Sequence, residues 1–263
     1  MKTSTSILAM IFFFAALVEA HASQNKGNEK DLREAIALTN KALIVYDNNL
    51  LQKAKDFFEQ NNFTPTALYY QTLCEYKLLE MSSRPGNESL FEKNCESGVA
   101  NAEKLSELKE FESEGKTLLA GIYMMKIASN PMSAVTLTSK IHSLLDDAQN
   151  INPDNPRTYI IRGIMKFQTP AAFGGSFEDA AKNFAKAIQL FEKEDEIDSI
   201  KPHWGYLESL VWMGRTQERL DNLEAAKFSY QKVLNLQPDY AWIKYSLLPK
   251  LLEKIDQKLK GKK

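Results

Sequence analysis

Apolar residues recur along most of this chain at the three- and four-residue intervals of amphipathic helices. In the segment 132–151, for example, Ile141, Leu145 and Ala148 fall on one helical face. The strict alternation of apolar and polar residues that marks half-buried strands is nearly absent. The pattern therefore predicts an all-α protein.

Prolines, glycines and polar runs separate the apolar stretches and set the predicted helix boundaries. The run 152–156 ends one helix, and Pro156 at its end is well placed to begin the next, because the first helical position needs no backbone donor. The run 84–87 is a second firm turn. We predict eleven helices at residues 29–46, 49–60, 65–81, 88–110, 113–129, 132–151, 156–168, 177–193, 203–220, 223–236 and 239–257.

A unit of about 34 residues near the C-terminus carries the fixed spacings of a helical repeat. Gly214 lets two helices approach closely, Ala226 sits where they cross, and Tyr230 fills the space one turn later. Pro238 stops the second helix because it lacks a backbone N–H. The remaining apolar positions are occupied by Leu210, Met213 and Val233. Although Gln217 replaces the usual aromatic residue, the unit resembles the tetratricopeptide-repeat (TPR) family.

Less regular units precede this one. In 156–193, Gly163 and Ala180 take the same roles, with five extra residues in the turn between the helices. The earlier half of the chain resembles the family only loosely. After Pro238, the amphipathic segment 240–259 would cap the array, as solenoids require. The resemblance implies a TPR-like α-solenoid of about five helix pairs plus a C-terminal capping helix, with its clearest repeats at 156–193 and 207–240.

The N-terminus has the features of a secretory signal peptide. Lys2 precedes an unbroken apolar run from Ile7 to Val18, and Ala20 and Ala22 have the small-residue spacing that signal peptidases read. The run is too short for a comfortable membrane span, although an uncleaved anchor is the alternative. We expect a signal peptide at 1–22, a single domain at 23–263 and no integral membrane span after cleavage.

The compartment follows from this signal and from a narrower resemblance. The segments 152–175, 202–205 and 247–249 look like those of a largely uncharacterised subgroup of exported bacterial TPR proteins. The resemblance implies export, most simply to the bacterial periplasm or otherwise outside the cell. It implies no established activity.

Composition excludes several function classes. The chain has 33 Lys and Arg against 34 Asp and Glu, a net charge of −1, so it lacks the basic surplus that nucleic acids or anionic membranes attract. Its few histidines and cysteines do not fall in metal-ligand spacings. The usual nucleophile, phosphate-loop and metalloprotease motifs are missing. The sequence predicts no enzyme, no cofactor and no metal site.

The turn 173–176 is the one segment that suggests an anion site, because its glycines free backbone amides before a helix. A simpler interpretation is preferred. Phe173 would pack on the core, the glycines would adopt positive φ, and Ser176 would cap the following helix.

Cys74 and Cys95 are equally distant from the predicted turn 82–87, so an antiparallel hairpin places them at about the same height. In an oxidising compartment such a pair could form a disulfide. The alternative is two buried free thiols, which are common in cores.

The TPR resemblance also implies a concave groove lined by the first helix of each pair. Counted from each pattern glycine, the ligand-facing positions are Leu118, Ile122, Met125, Arg157, Ile160, Ile164, Phe167, Glu208, Val211, Arg215, Glu218 and Arg219. Much of this surface is apolar, which is unexpected beside water. Either the groove accepts a hydrophobic peptide, helix or acyl-like ligand, or an N-terminal or capping helix folds into it.

Chaperone-binding TPR domains hold a C-terminal carboxylate with a basic and asparagine clamp. That clamp is absent here, because the matching positions are Leu118, Ile122, Ile161, Glu208 and Trp212. The leading hypothesis is an exported scaffold that binds a protein or peptide partner. The alternative is a periplasmic small-molecule or lipid-binding carrier with a pocket enclosed by the helices.

Overall fold

The computed structural model describes residues 29–61, 64–194 and 200–260, and the predicted signal peptide at 1–22 lies outside them. The described residues form eleven α-helices and no strand, which confirms the all-α prediction. The helices are α1 (29–45), α2 (Asn48–Gln60), α3 (Pro65–Ser82), α4 (Ser89–Glu107), α5 (Glu112–Ser129), α6 (Ala134–Ile151), α7 (Pro156–Gln168), α8 (Phe177–Phe191), α9 (Tyr206–Arg219), α10 (Leu223–Leu236) and α11 (241–260, with a π-helical turn at Ile243–Leu247).

Local sequence accounts for the helix boundaries. Thr64 Oγ1 accepts a hydrogen bond from the Ala67 N–H at 3.1 Å, and Pro65 begins α3. Asn155 Oδ1 caps α7 in the same way, with Pro156 in the first helical position. A capping side chain satisfies one of the backbone N–H groups that have no partner within the helix. Each capping residue, together with the proline that follows it, fixes where its helix begins.

The helices pack in consecutive pairs, as the solenoid prediction requires. The pairs are α3 with α4, α5 with α6, α7 with α8 and α9 with α10. The first members also contact one another in series, from α3 to α5, α7 and α9, and so form a continuous inner layer. The α11 helix packs against α10 and closes the C-terminal end.

Glycines mark the close crossings within the later pairs. A Cβ added at Gly214 would lie 2.3 Å from Cε1 of Tyr230, and one at Gly163 would lie 2.6 Å from Cε1 of Phe184. Both rings therefore occupy space that any other residue at the glycine positions would need. The roles that the repeat pattern assigned to these residues are those that the structure gives them.

The core consists of two apolar clusters that meet at α9. One extends from α1 to α9, and the other joins α9, α10 and α11 around Tyr230 and Ile243. Thirteen of the eighteen residues of α3 are buried, so this helix lies inside the protein on nearly all sides.

Candidate functional site

Half of the twelve predicted groove positions in α5, α7 and α9 are buried. Five apolar ones have at most 1% of their surface exposed: Leu118, Ile122, Ile160, Ile164 and Val211. Met125 is partly buried against the main cluster. These side chains hold the helices together and do not form an open surface.

Residues 200–204, which lead into α9, cross this region; we call them the crossing segment. Trp204 is buried, and its indole N–H donates to Tyr69 Oη at 2.6 Å. The hydroxyl of Tyr70, on the same helix α3, donates a hydrogen bond to the Lys201 carbonyl at 2.7 Å. The crossing segment is therefore bound to the inner layer by one buried and one partly buried hydrogen bond.

The α1 helix lies beside α3 and the crossing segment. Thr39 Oγ1 lies 3.7 Å from Cys74 Sγ on α3, and Asn40 Nδ2 lies 2.7 Å from His203 Nε2 in the crossing segment. The two alternatives that the sequence left open for the groove stay predictions; burial of its apolar positions is what the self-filled alternative requires. No signal in the sequence revealed how the crossing segment packs on the inner layer.

Two predicted groove positions are charged and yet enclosed. Arg157 Nη1 lies 3.3 Å from Oε1 of Glu114; burial raises the pKa of Glu114, and Arg157 opposes that shift. Glu208 Oε2 accepts a hydrogen bond from Lys77 Nζ at 2.6 Å; burial raises the pKa of Glu208, and Lys77 opposes it. Both charges are compensated within the chain.

The six arginines of the chain divide into two groups. Three pair with a carboxylate: Arg33, Arg157 and Arg162. Within the described ranges, three guanidinium groups have neither a carboxylate within 4.0 Å nor a hydrogen-bond acceptor: Arg84, Arg215 and Arg219. The second group is the one with donors left for a ligand.

These three arginines lie over aromatic rings. Arg84 Cζ is 3.9 Å from the ring centroid of Tyr46, at the end of α1. The Tyr46 ring lies 5.7 Å from the ring of Trp242 in α11. Arg215, which is on α9, has its Cζ 5.1 Å from the centroid of the same Trp242 ring. Cations and rings thus follow one another from the α3–α4 turn to α9.

The series continues along α9. Arg215 Cζ lies 4.1 Å from the Trp212 ring and 5.2 Å from the Phe167 ring. Arg219 Cζ lies 6.0 Å from Phe167 and 4.6 Å from Phe177 at the start of α8. We define the arginine–aromatic face as Tyr46, Arg84, Phe167, Phe177, Trp212, Arg215, Arg219 and Trp242.

The face is accessible at its cations. Arg219 is exposed, Arg84 and Arg215 are partly exposed, and Trp212 is buried beneath them. Burial lowers the pKa of Arg215, but a guanidinium stays protonated in proteins. A guanidinium stacked on a ring keeps its N–H edge free for a carboxylate or phosphate, while the ring offers an apolar surface. The arrangement is suited to binding.

The sequence predicted part of the arginine–aromatic face. Phe167, Arg215 and Arg219 were among the predicted groove positions. Glu218 was also a predicted groove position, but its carboxylate accepts a hydrogen bond from the Tyr230 hydroxyl at 2.5 Å. The residues from α1, the α3–α4 turn and α11 were missed, because they lie outside the repeat positions and no spacing relates them.

The disulfide that the sequence allowed is not formed, since Cys74 and Cys95 are both buried free thiols. Cys74 points to Thr39 of α1, at 3.7 Å. The next residue, Glu75, is the one directed at α4, where Asn101 donates to it at 3.0 Å. Two adjacent positions on a helix do not share a face, so Cys74 is turned away from the helix that carries Cys95.

The 173–176 turn has the expected positive φ at Gly174 but not at Gly175, and it lacks the expected side-chain packing. Gly174 has φ +88°, and Ser176 Oγ accepts from the Asp179 N–H at 3.1 Å, which caps α8. Phe173 is 81% exposed and does not pack on the core. The reason is that Gly175 N–H bonds to the Pro170 carbonyl, which closes the turn on itself and leaves the ring outside.

In the described part of the chain, no three His, Cys, Asp or Glu side chains are grouped so that they could hold a metal ion. None of the helices described there is long and apolar enough to cross a membrane.

The fold and this face define an α-helical repeat protein whose accessible cations point to a binding role. Residues 207–240, which contain α9 and α10, match the family model of the tetratricopeptide repeat, and this confirms the resemblance seen in the sequence. No curated protein shows a significant match to the chain.

Two solved structures share the fold. The HusA haemophore from Porphyromonas gingivalis superimposes with a TM-score of 0.60 at 20% identity, covering 73% of this chain and 93% of its own. The thermophilic TPR protein TTC0263 from Thermus thermophilus gives a TM-score of 0.56 at 18% identity, covering 85% of this chain and 98% of its own. At these identities, both comparisons establish the fold alone.

Proposed function

We propose that this chain is an exported scaffold that binds a protein or peptide partner on the arginine–aromatic face. The observation that carries the proposal is the division of the arginines. The three that pair with carboxylates lie elsewhere, and the three with free N–H groups lie together on rings. TPR folds generally serve as interaction scaffolds, which supports the same class.

Export to the bacterial periplasm or outside the cell is part of the proposal and rests on the N-terminal sequence, residues 1–22. The proposal includes no catalytic step. Burial of the apolar inner positions of α5 and α7 supports a partner site at the arginine–aromatic face, because those side chains are closed to a ligand.

Photocrosslinking in the native host tests this function. A photoreactive amino acid replaces Phe167 within the face or, as a control, Phe228, which is 69% exposed on α10. We expect a discrete protein adduct at position 167 that is lost when Arg215→Gln is added, and no such adduct at 228. Equal adducts at both positions, or an adduct that is indifferent to Arg215→Gln, would contradict the proposal.

A carrier of a flat, acidic small molecule is a second candidate function. Rings beside free guanidinium groups favour it, and HusA, which shares the fold, is a haemophore. Titration with haemin, followed by absorbance, tests this candidate against Trp242→Ala and Arg215→Gln variants. Saturable binding that both variants weaken would favour a carrier; an unchanged haemin spectrum would leave the scaffold as the better account.

A further inference from the structure

We propose that the arginine–aromatic face binds an extended acidic segment of the partner, in which carboxylate side chains alternate with apolar ones. The segment is recognised by its internal side chains and not by its chain end. This inference rests on the proposed function and specifies the chemistry of the partner.

The spacing of the cations is within the reach of a short extended segment. Between Arg84 and Arg215 lie the rings of Tyr46 and Trp242, joined by separations of 3.9, 5.7 and 5.1 Å. Laid end to end, these separations place the two guanidinium groups at most about 15 Å apart, the length of four or five extended residues. A short strand of peptide can therefore reach both cations.

The same alternation continues beyond Arg215. The Phe167 ring lies 5.2 Å from the Arg215 guanidinium and 6.0 Å from that of Arg219, so one ring stands beside two cations. Phe177 follows at 4.6 Å from Arg219. A ligand that alternates charge and apolar surface would complement this order better than one with a single charged end.

Chain-end recognition fits the geometry less well. A terminal carboxylate is one anion, and it can pair bidentately with one guanidinium. The face presents three guanidinium groups separated by rings. The positions at which chaperone-binding TPR domains hold a chain end are here apolar, acidic or tryptophan: Leu118, Ile122, Ile161, Glu208 and Trp212. Several side-chain carboxylates are needed to satisfy the whole series.

A nucleic acid also combines anions with stacking surfaces, but the charge of the chain disfavours it. Affinity for a phosphate backbone depends on many cations, and this chain has a net charge of −1. The face supplies three. An acidic peptide, with carboxylates only where the guanidinium groups stand, is the better match.

The test uses a fluorescein-labelled peptide of nine residues in which Glu alternates with Leu, acetylated at its N-terminus and amidated at its C-terminus. Binding is followed by fluorescence anisotropy. We expect saturation below millimolar concentration and weakening as salt rises. Arg84→Gln and Arg215→Gln should each weaken binding about tenfold, because each removes a charge-assisted pair. The matched control is Arg33→Gln, whose arginine already pairs with Glu29 at 2.6 Å and should bind as the parent does.

Three further probes complete the design. The Gln-for-Glu peptide should not bind, a free C-terminal carboxylate in place of the amide should change affinity less than twofold, and an oligouridylate of nine nucleotides should bind at least tenfold more weakly than the acidic peptide. Each variant must retain the parent's thermal unfolding midpoint within a few degrees, and one that does not is replaced by Arg→Lys, which keeps the charge and loses the bidentate fork.

The inference is overturned if the acidic peptide does not bind, if it binds equally to Arg84→Gln and Arg215→Gln, if only the free-carboxylate form binds, or if the oligouridylate binds more tightly. These outcomes differ from failure of the proposed function. A protein adduct at position 167 that depends on Arg215 would keep the scaffold proposal even when the acidic peptide fails.

Discussion

Lys77 on α3 donates a hydrogen bond to Glu208 on α9 across 2.6 Å, although 131 positions separate them in the chain. The same ammonium lies 2.8 Å from Glu80 and 4.5 Å from the ring of Trp204 in the crossing segment. With only 5% of its side chain exposed, Lys77 is a buried charge that joins an N-terminal helix to a C-terminal one.

Replacing one partner of this pair should destabilise the fold strongly. Lys77→Met leaves Glu208 enclosed without its ammonium, and we expect the free energy of unfolding at pH 7 to fall by about 3–5 kcal/mol. Urea denaturation followed by circular dichroism measures it. The double variant Lys77→Met/Glu208→Leu removes the enclosed pair but leaves Glu80, which is 25% exposed, without the ammonium, so it should recover only part of the loss. A single variant within about 1 kcal/mol of the parent would contradict the structural role given to the pair.

The pH dependence of stability should report on Glu75, which is buried on α3. Burial raises its pKa above the ordinary value of 4.5, and Asn101, which donates at 3.0 Å, opposes the shift. Below the unfolded-state pKa the carboxyl is protonated in both states and contributes nothing. As pH rises from the unfolded-state pKa to the folded-state pKa, the unfolded chain ionises while the buried carboxyl stays protonated, so stability is lost, and the loss is complete above the folded-state pKa.

Glu75→Gln removes this cost while keeping an acceptor for Asn101. We therefore expect the variant to gain stability relative to the parent as pH rises from 4.5 to 7.5, measured as the difference in urea midpoint at each pH. Using the difference cancels the contributions of Glu114 and Glu208, whose pKa values burial also raises. A difference that does not change with pH would show that Glu75 does not titrate in this range.

The helices and their pairing could be predicted because their signals are local. Pro156 directly follows Asn155, which caps α7. Gly214 and Tyr230 lie on the two helices of one hairpin. Short-range spacing determines such contacts, so eleven helices and the solenoid order follow from the sequence.

The arginine–aromatic face could be predicted only in part, because residues that meet through long-range contacts have no regular spacing in the sequence. The rings of Tyr46 and Trp242 lie 5.7 Å apart at a tilted angle, and Asn40 contacts His203, yet nothing in the sequence relates these positions. Mapping ligand positions from a repeat pattern assumes an open groove. In this chain the apolar positions of that region are buried, and the accessible cations lie in the α3–α4 turn and on α9, beside rings at the end of α1 and on α11.

Helical glycines provide a prediction with an internal control. A Cβ at Gly214 would lie 2.3 Å from the Tyr230 ring, which is enclosed, whereas one at Gly98 would lie 3.3 Å from the flexible Cδ1 of Ile122. Gly214→Ala should lower the free energy of unfolding by about 1–3 kcal/mol through overpacking. Gly98→Ala should be near neutral, since the higher helix propensity of alanine offsets a small adjustment. Equal effects in thermal or urea unfolding would contradict the crossing geometry.

The two thiols should be unreactive in the folded protein. Burial raises the pKa of Cys74 to about 12, and burial also raises the pKa of Cys95, so little thiolate is present at pH 8. We expect slow labelling by iodoacetamide in buffer and labelling of both thiols once the protein is unfolded in guanidinium. Protein purified without reductant from the exporting host should give the mass of two free thiols. A mass lower by two hydrogens, with a Cys74–Cys95 peptide in the digest, would show that α3 rotates far enough for the bridge that the sequence allowed.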